Sequence, residues 1–167
     1  MERLWAGWRN EYVTSTGAET SPGGDACVLC RVAGAGDGEG EAALWRGART
    51  VAVLNAFPYT SGHLMVMPTR HVGELEDLDP EESVELWDAV RAAVVALKAA
   101  YRPEGVNVGA NLGRAAGAGV PGHLHLHVLP RWSGDTNFMT SVAEARVLPE
   151  SLPTSGERLR AVWPARP

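Results

Sequence analysis

Nine consecutive residues constrain this chain more than any others: Gly122-His123-Leu124-His125-Leu126-His127-Val128-Leu129-Pro130. Apolar and polar side chains alternate through them, which is the period of a β-strand whose residues point to opposite faces in turn. Leu124, Leu126 and Val128 therefore enter a core, while His123, His125 and His127 share the other face at intervals of about 7 Å. Three of the five histidines stand in this row, where Thr, Lys or Glu would serve a merely solvated face. A plain polar face and a three-histidine metal site are the two other readings of the same pattern.

The flanking sequence supplies partners for such a strand. Ala43–Trp45 and Thr50–Leu54 read as strands around a turn at Arg46-Gly47, and His63–Met67 is a third, bounded by Gly62 and Pro68. Gly105–Asn111 and Gly122–Pro130 read as two more. Asp79-Pro80-Glu81-Glu82 opens a helix, with Asp as N-cap, Pro at the first helical position and two carboxylates at the positive end. Leu86, Val90, Val94 and Leu97 then form an apolar stripe that ends before Pro103. Leu4, Trp5, Trp8 and Tyr12 suggest an amphipathic arm over residues 1–13, and residues 14–24 and 33–42 read as mobile loops.

With 167 residues the chain is expected to form one domain. Its net charge of −5, with no basic block, argues against a nucleic acid polymer as partner. The most apolar long stretch, Ala89 to Ala100, is interrupted by Arg91 and Lys98, so no transmembrane helix and no membrane association are expected. The amino terminus lacks the apolar run of a secretory signal, and only two cysteines occur, which fits the cytoplasm.

Upstream of the histidines lies Asn111-Leu112-Gly113-Arg114-Ala115-Ala116-Gly117-Ala118-Gly119-Val120-Pro121-Gly122. Repeated glycines let backbone N–H groups turn toward an anion, although the same composition serves a simple hairpin connection. Beside an imidazole row, an anion cradle points to phosphorus chemistry, because a neutral imidazole with a pKa of about 6.5 is a competent nucleophile at neutral pH. Cys27 and Cys30 have the spacing of a zinc knuckle; free buried thiols and a redox pair are the alternatives. Gly34, Gly36, Gly38 and Gly40 leave no helix expected after Cys30, which disfavours redox use. Trp132, directly after the strand, is either a base-stacking indole or a core residue.

His123, His125 and His127 followed by Val128 and Leu129 resemble the signature of the histidine triad (HIT) family. The resemblance runs on through Asn111, Ala116-Gly117 and Asn55-x-x-Pro58-x-x-x-Gly62-His63 to the helix after Asp79. Within the family, Arg131-Trp132-Ser133-Gly134-Asp135-Thr136-Asn137-Phe138 and Arg3-Leu4-Trp5 are similar to the actinobacterial-type diadenosine tetraphosphate phosphorylase branch. The resemblance implies an α+β fold: a five-stranded antiparallel sheet with one long helix and one or more short ones. It would comprise an arm and loop over 1–24, a HIT domain over 25–140 and a C-terminal extension over 141–167 that packs on it. It also implies a homodimer that acts on an adenine dinucleotide polyphosphate through a covalent AMP-histidine; a hydrolase of dinucleoside polyphosphates or nucleoside phosphoramidates and a slow nucleotide-binding module are the alternatives. By resemblance His125 attacks the α-phosphorus, His127 bonds a phosphate oxygen or assists the leaving group, and His123 completes the catalytic row. Asn55 would contact ribose, Asn111 would support the site, and Gly117, Ala118 and Gly119 would hold phosphate; for both asparagines the alternative is a turn residue. His63 matches a position that is structural in the family. Zinc-bearing relatives imply a structural zinc on Cys27, Cys30, His71 and His123, and no organic cofactor is expected. Many members carry Gln or Ser where this chain has Ala118-Gly119, which leaves both water and inorganic phosphate open as the second acceptor. Arg114 and Arg131 flank the motif and favour phosphate; solvated surface positions are the other reading of both.

Overall fold

The computed structural model describes residues 27–35, 43–136 and 149–165. The arm over 1–13, the loop over 14–24, residues 36–42 of the loop expected over 33–42, and Asn137-Phe138 lie outside them; Ala33 and Gly34 of that expected loop are helical instead. Five strands form an antiparallel sheet in the order β1-β2-β3-β5-β4: β1 (Ala43–Arg46), β2 (Thr50–Leu54), β3 (Leu64–Pro68), β4 (Gly105–Ala110) and β5 (Leu126–Arg131). Among the described residues three α-helices accompany it: α1 (Val28–Gly34), α2 (Pro80–Tyr101) and α3 (Leu152–Arg160). Among the described residues no helix is long and apolar enough to cross a membrane.

Alternation along the strands divides the core into two layers. Ala52, Leu54, Leu64, Val66, Leu126 and Val128 meet Leu86, Ala89, Val90, Ala93, Ala96 and Leu97 of α2 and Leu159 of α3. Each large aliphatic side chain buried there contributes about 1.5–3 kcal/mol. On the opposite face Val51, Val53 and Met67 are covered by Cys27 and by Leu29 and Ala33 of α1. The expectation of no helix after Cys30 is therefore corrected: a helix of seven residues runs through it, beginning with Arg31 N–H donating to Cys27 O at 3.1 Å. Burial of Leu29 and Ala33 outweighs the nearby glycines, most of which follow the helix end.

The long helix begins as its sequence predicts. Asp79 accepts from Glu82 N–H at 2.8 Å, and Glu82 accepts from Asp79 N–H at 3.1 Å, closing a capping box with Pro80 inside it. The buried Glu82 carboxylate also takes two bonds from Arg70, at 2.8 and 2.7 Å. This bidentate contact holds its pKa below the ordinary carboxylate value. The helix stops at Arg102, whose φ of 47° is left-handed, one residue before Pro103.

At the far end of α2, Tyr101 Oη donates to Glu150 at 2.6 Å, and Arg158 pairs with the same carboxylate at 3.1 Å. Burial, then the Glu150 bond, pushes the Tyr101 hydroxyl up to about 12. Trp163 stacks on Trp45 at 6.3 Å between ring centroids. β5 begins at Leu126 rather than at Gly122, because Leu124 N–H donates to Val72 O at 2.6 Å, outside the ladder with β3.

Candidate active site

The sheet face away from α2 carries His127, which lies opposite Met65 of β3 and Gly109 of β4. His63, just before β3, is fully buried, and its Nε2 stands 3.0 Å from His127 Nδ1. Gly62 makes that entry with a φ of 79°, and a Cβ there would sit 2.6 Å from the Tyr101 ring, so only glycine fits. Tyr59 N–H donates to His63 Nδ1 at 3.0 Å. A backbone amide can only donate, so neutral His63 carries its proton on Nε2 and donates it to His127 Nδ1. His127 is then left with Nε2–H, a donor available to a ligand. The Tyr59 ring stacks over His127 at 5.9 Å and packs on His63 at 4.6 Å.

His125 is 7% exposed, and its Nδ1–H donates to the carbonyl of His123 at 2.8 Å. That bond leaves a lone pair on Nε2, the form a nucleophile needs. Its ring centroid is 5.1 Å from that of His127. Burial lowers the pKa of His125, and burial followed by the neighbouring His125 lowers that of His127 to about 4, so both rings are neutral at pH 7.

His123 belongs to a second cluster. Its Nε2–H donates to Pro68 O at 2.9 Å, which turns Nδ1 toward Cys27 Sγ at 3.6 Å and Cys30 Sγ at 3.3 Å. His71 Nδ1 lies 3.1 Å from Cys30 Sγ, and all four ligand atoms fall within 4.8 Å of one another. Tetrahedral zinc, with bonds of about 2.3 Å to sulfur and 2.0–2.1 Å to nitrogen, holds mixed ligands about 3.5 Å apart. The donor set and its spacing fit that ion. The Pro68 carbonyl is the partner that fixes the tautomer of a ligating histidine.

The remaining sequence-predicted residues divide. Asn55 is buried, accepts from Phe57 N–H at 3.0 Å and places Nδ2 3.4 Å from His63 Nδ1. Asn111 donates to Gly117 O at 3.3 Å and braces the glycine loop. Within that loop Gly117 N–H donates to Arg114 O at 2.9 Å and Ala118 N–H to Gly113 O at 3.3 Å. Arg131 and Trp132 are not brought to the histidines. Arg131 is four positions beyond His127, roughly 13 Å along the strand, and its guanidinium holds Asp135 through two bonds and Asn107 through a third. Trp132 meets Tyr101 edge-on at 6.3 Å, on the α2 side, as alternation after His127 requires. Tyr59 and the pairing of His63 with His127 were missed from sequence; an aromatic midway between Asn55 and His63, four residues from each, was the available signal.

The HIT domain family model matches residues 41–134, which hold all five strands, α2 and the histidine row. The chain belongs to the histidine triad (HIT) family. Over its full length this HIT protein is 39% identical to the AP-4-A phosphorylase of Mycobacterium tuberculosis, across 170 positions and 87% of that protein. It is also 33% identical to the asymmetrical bis(5'-nucleosyl)-tetraphosphatase of Schizosaccharomyces pombe, over 58% of this chain and 52% of the other. A solved zinc-bound histidine triad family protein from Mycobacterium smegmatis superposes with a TM-score of 0.67 at 29% identity, over 84% of this chain and 95% of that one. This HIT protein is accordingly an enzyme of the HIT type.

Proposed function

We propose that the protein cleaves dinucleoside polyphosphates, diadenosine tetraphosphate in particular, by nucleotidyl transfer through His125 with inorganic phosphate as acceptor. The observation that carries this reading is the 2.8 Å bond from His125 Nδ1–H to His123 O, which presents Nε2 as a neutral nucleophile beside the Nε2–H of His127. The lone pair on His125 Nε2 forms a bond to the α-phosphorus while the bond from that phosphorus to the bridging oxygen breaks. The electron pair departs on ATP, and His127 Nε2–H hydrogen-bonds the departing oxygen. A phosphate oxygen then attacks the same phosphorus, the nitrogen–phosphorus bond breaks, and ADP leaves with His125 regenerated. Asn55 holds the ribose of the transferred nucleotide, and Asn111 keeps the loop in place.

Arg114, within the glycine loop, supplies the cation for the acceptor phosphate; Arg131 is held by Asp135 and Asn107. Gly119 and Ala118 supply amides, the latter by giving up its long 3.3 Å bond to Gly113 O. The full-length similarity to an AP-4-A phosphorylase supports phosphate over water. Hydrolysis is the second reading, favoured by the two loop amides already turned inward. Product analysis in saturating phosphate separates them: ATP with ADP at a phosphate-dependent rate supports phosphorolysis, and ATP with AMP at a phosphate-independent rate makes the protein a hydrolase.

A structural zinc on Cys27, Cys30, His71 and His123 belongs to the same reading, supported by the ligand spacing and by the zinc-bound relative. When bound it would tie α1 to the residue whose carbonyl orients His125. We also propose a cytoplasmic homodimer, for which β4 offers an unpaired edge with Asn107 to Ala110 exposed.

A further inference from the structure

Two glycines lie in β4, and they differ in what surrounds them. A Cβ on Gly105 would meet Arg131 Cβ at 4.0 Å, whereas a Cβ on Gly109 would have nothing within 4 Å. Gly109 stands directly opposite His127 in the ladder. Opposed residues of an antiparallel pair send their side chains to the same face, with Cβ atoms about 4.5–5.5 Å apart. The empty volume over Gly109 is therefore beside the His127 imidazole.

Among the described residues nothing calls for glycine at this position. The φ of Gly109 is not positive, so the backbone conformation suits any residue. No neighbour crowds it either. Glycine inside a strand weakens it relative to alanine, and where no bulge or bend is present such a glycine often marks a place where a ligand or another backbone approaches.

We propose that the room over Gly109 receives the departing nucleoside polyphosphate, which makes Gly109 a determinant of leaving-group size. This inference rests on the nucleotidyl-transfer reading above. The order of strands selects the occupant: Asn55 and His63 stand on the β2–β3 side of His127, and Gly109 stands on the β4 side. With the transferred nucleotide on the Asn55 side, the remaining phosphates pass His127 and cross β4. Beyond Gly109 the same face continues over Leu129 to Asn107, whose Oδ1 accepts from Arg131 at 2.8 Å. A floor of Gly109 and Leu129 with a polar end at Asn107 suits a nucleoside.

Calorimetric titration tests this in a His125→Asn background, where the intact substrate survives. Diadenosine tetraphosphate and AMP are titrated into His125→Asn alone and into the same variant carrying Gly109→Ala or Gly109→Val. Alanine and valine both enter open space, valine is favoured in strands, and thermal melts identify any variant that has lost its fold. The ratio of affinity for diadenosine tetraphosphate to affinity for AMP is expected to fall at least tenfold with valine and less with alanine. An unchanged ratio, or a loss confined to AMP, overturns the proposal. So does a change of oligomeric state on light scattering, which would give the room to a second chain. The product assay on the unmodified protein judges the nucleotidyl-transfer reading separately: a falling ratio without turnover leaves a nucleotide-binding site with this geometry and removes the nucleotidyl-transfer reading.

Discussion

His63 Nε2 and His127 Nδ1 lie 3.0 Å apart although 64 residues separate them in the chain. With Tyr59 N–H on the other nitrogen of His63, one backbone amide sets the tautomer of two imidazoles in succession. The ring nitrogen on which His127 carries its proton is thus determined by the turn between β2 and β3.

That dependence predicts a non-additive pair. His63→Ala and His127→Ala should each lower kcat by about 10²- to 10⁴-fold, the range of a positioned proton donor. The double variant should be no slower than His127→Ala alone, because the first histidine acts through the second. Steady-state kinetics on the four proteins checks it, and fully additive losses would show that His63 acts independently.

Acid should act on the same pair. The folded pKa of His127 is lowered to about 4, below the ordinary value of about 6.5 for an exposed histidine. The unfolded chain therefore binds more protons between those values, and stability present above pH 6.5 is lost as pH falls toward 4. Melting temperature is expected to decline across that window in the parent and less steeply in His127→Asn. Activity should still be substantial at pH 5.5, where a histidine of ordinary pKa is mostly protonated.

Metal removal should separate the two histidine clusters. Protein purified without chelator is expected to hold one zinc per chain by elemental analysis. Chelation or Cys30→Ser should lower Tm by about 5–15 °C, corresponding to a few kcal/mol for a chain of this size. Zinc-free protein with an unaltered melt after chelation would remove the metal from the account.

The two arginines near the motif should part ways. Asp135 is held well below the usual carboxylate range, chiefly by its Arg131 hydrogen bond. Arg131→Ala should therefore destabilise the fold modestly, by about 0.2–1 kcal/mol, because the arginine is substantially exposed and solvent screens the pair. It should leave KM for phosphate within about twofold, whereas Arg114→Ala should raise that KM several-fold. Denaturant unfolding and phosphate titrations measure the two effects.

Much of the fold was legible from local pattern. Thr50–Leu54 reads as a strand because β-branched and apolar residues sit between turn residues, and α2 is announced by Asp79, Pro80 and Glu82 before any packing is known. Other features needed the third dimension. The alternation in residues 122–130 identifies a strand but not its neighbours, so the register that sets Met65 and Gly109 opposite His127 cannot be read from it. Without that register His63 remains an isolated histidine and Gly109 an isolated glycine. The helix through Cys30 was hidden for a related reason, since it depends on the apolar surface of Val51, Val53 and Met67. Trp132 shows the converse: from its place beyond the histidine row a stacking indole and a packed residue were equally open, and strand alternation directs it to Tyr101.

The covalent intermediate is the most direct test of the account. Protein mixed with diadenosine tetraphosphate in phosphate-free buffer, quenched within milliseconds and digested, should yield a peptide spanning residue 125 that carries one adenylyl group. The adduct should be acid-labile, as expected of a phosphorus–nitrogen bond, should vanish when phosphate is added before the quench, and should be absent from His125→Asn. Turnover without any adduct, or an adduct that persists in His125→Asn, would contradict the assignment of His125 as the nucleophile.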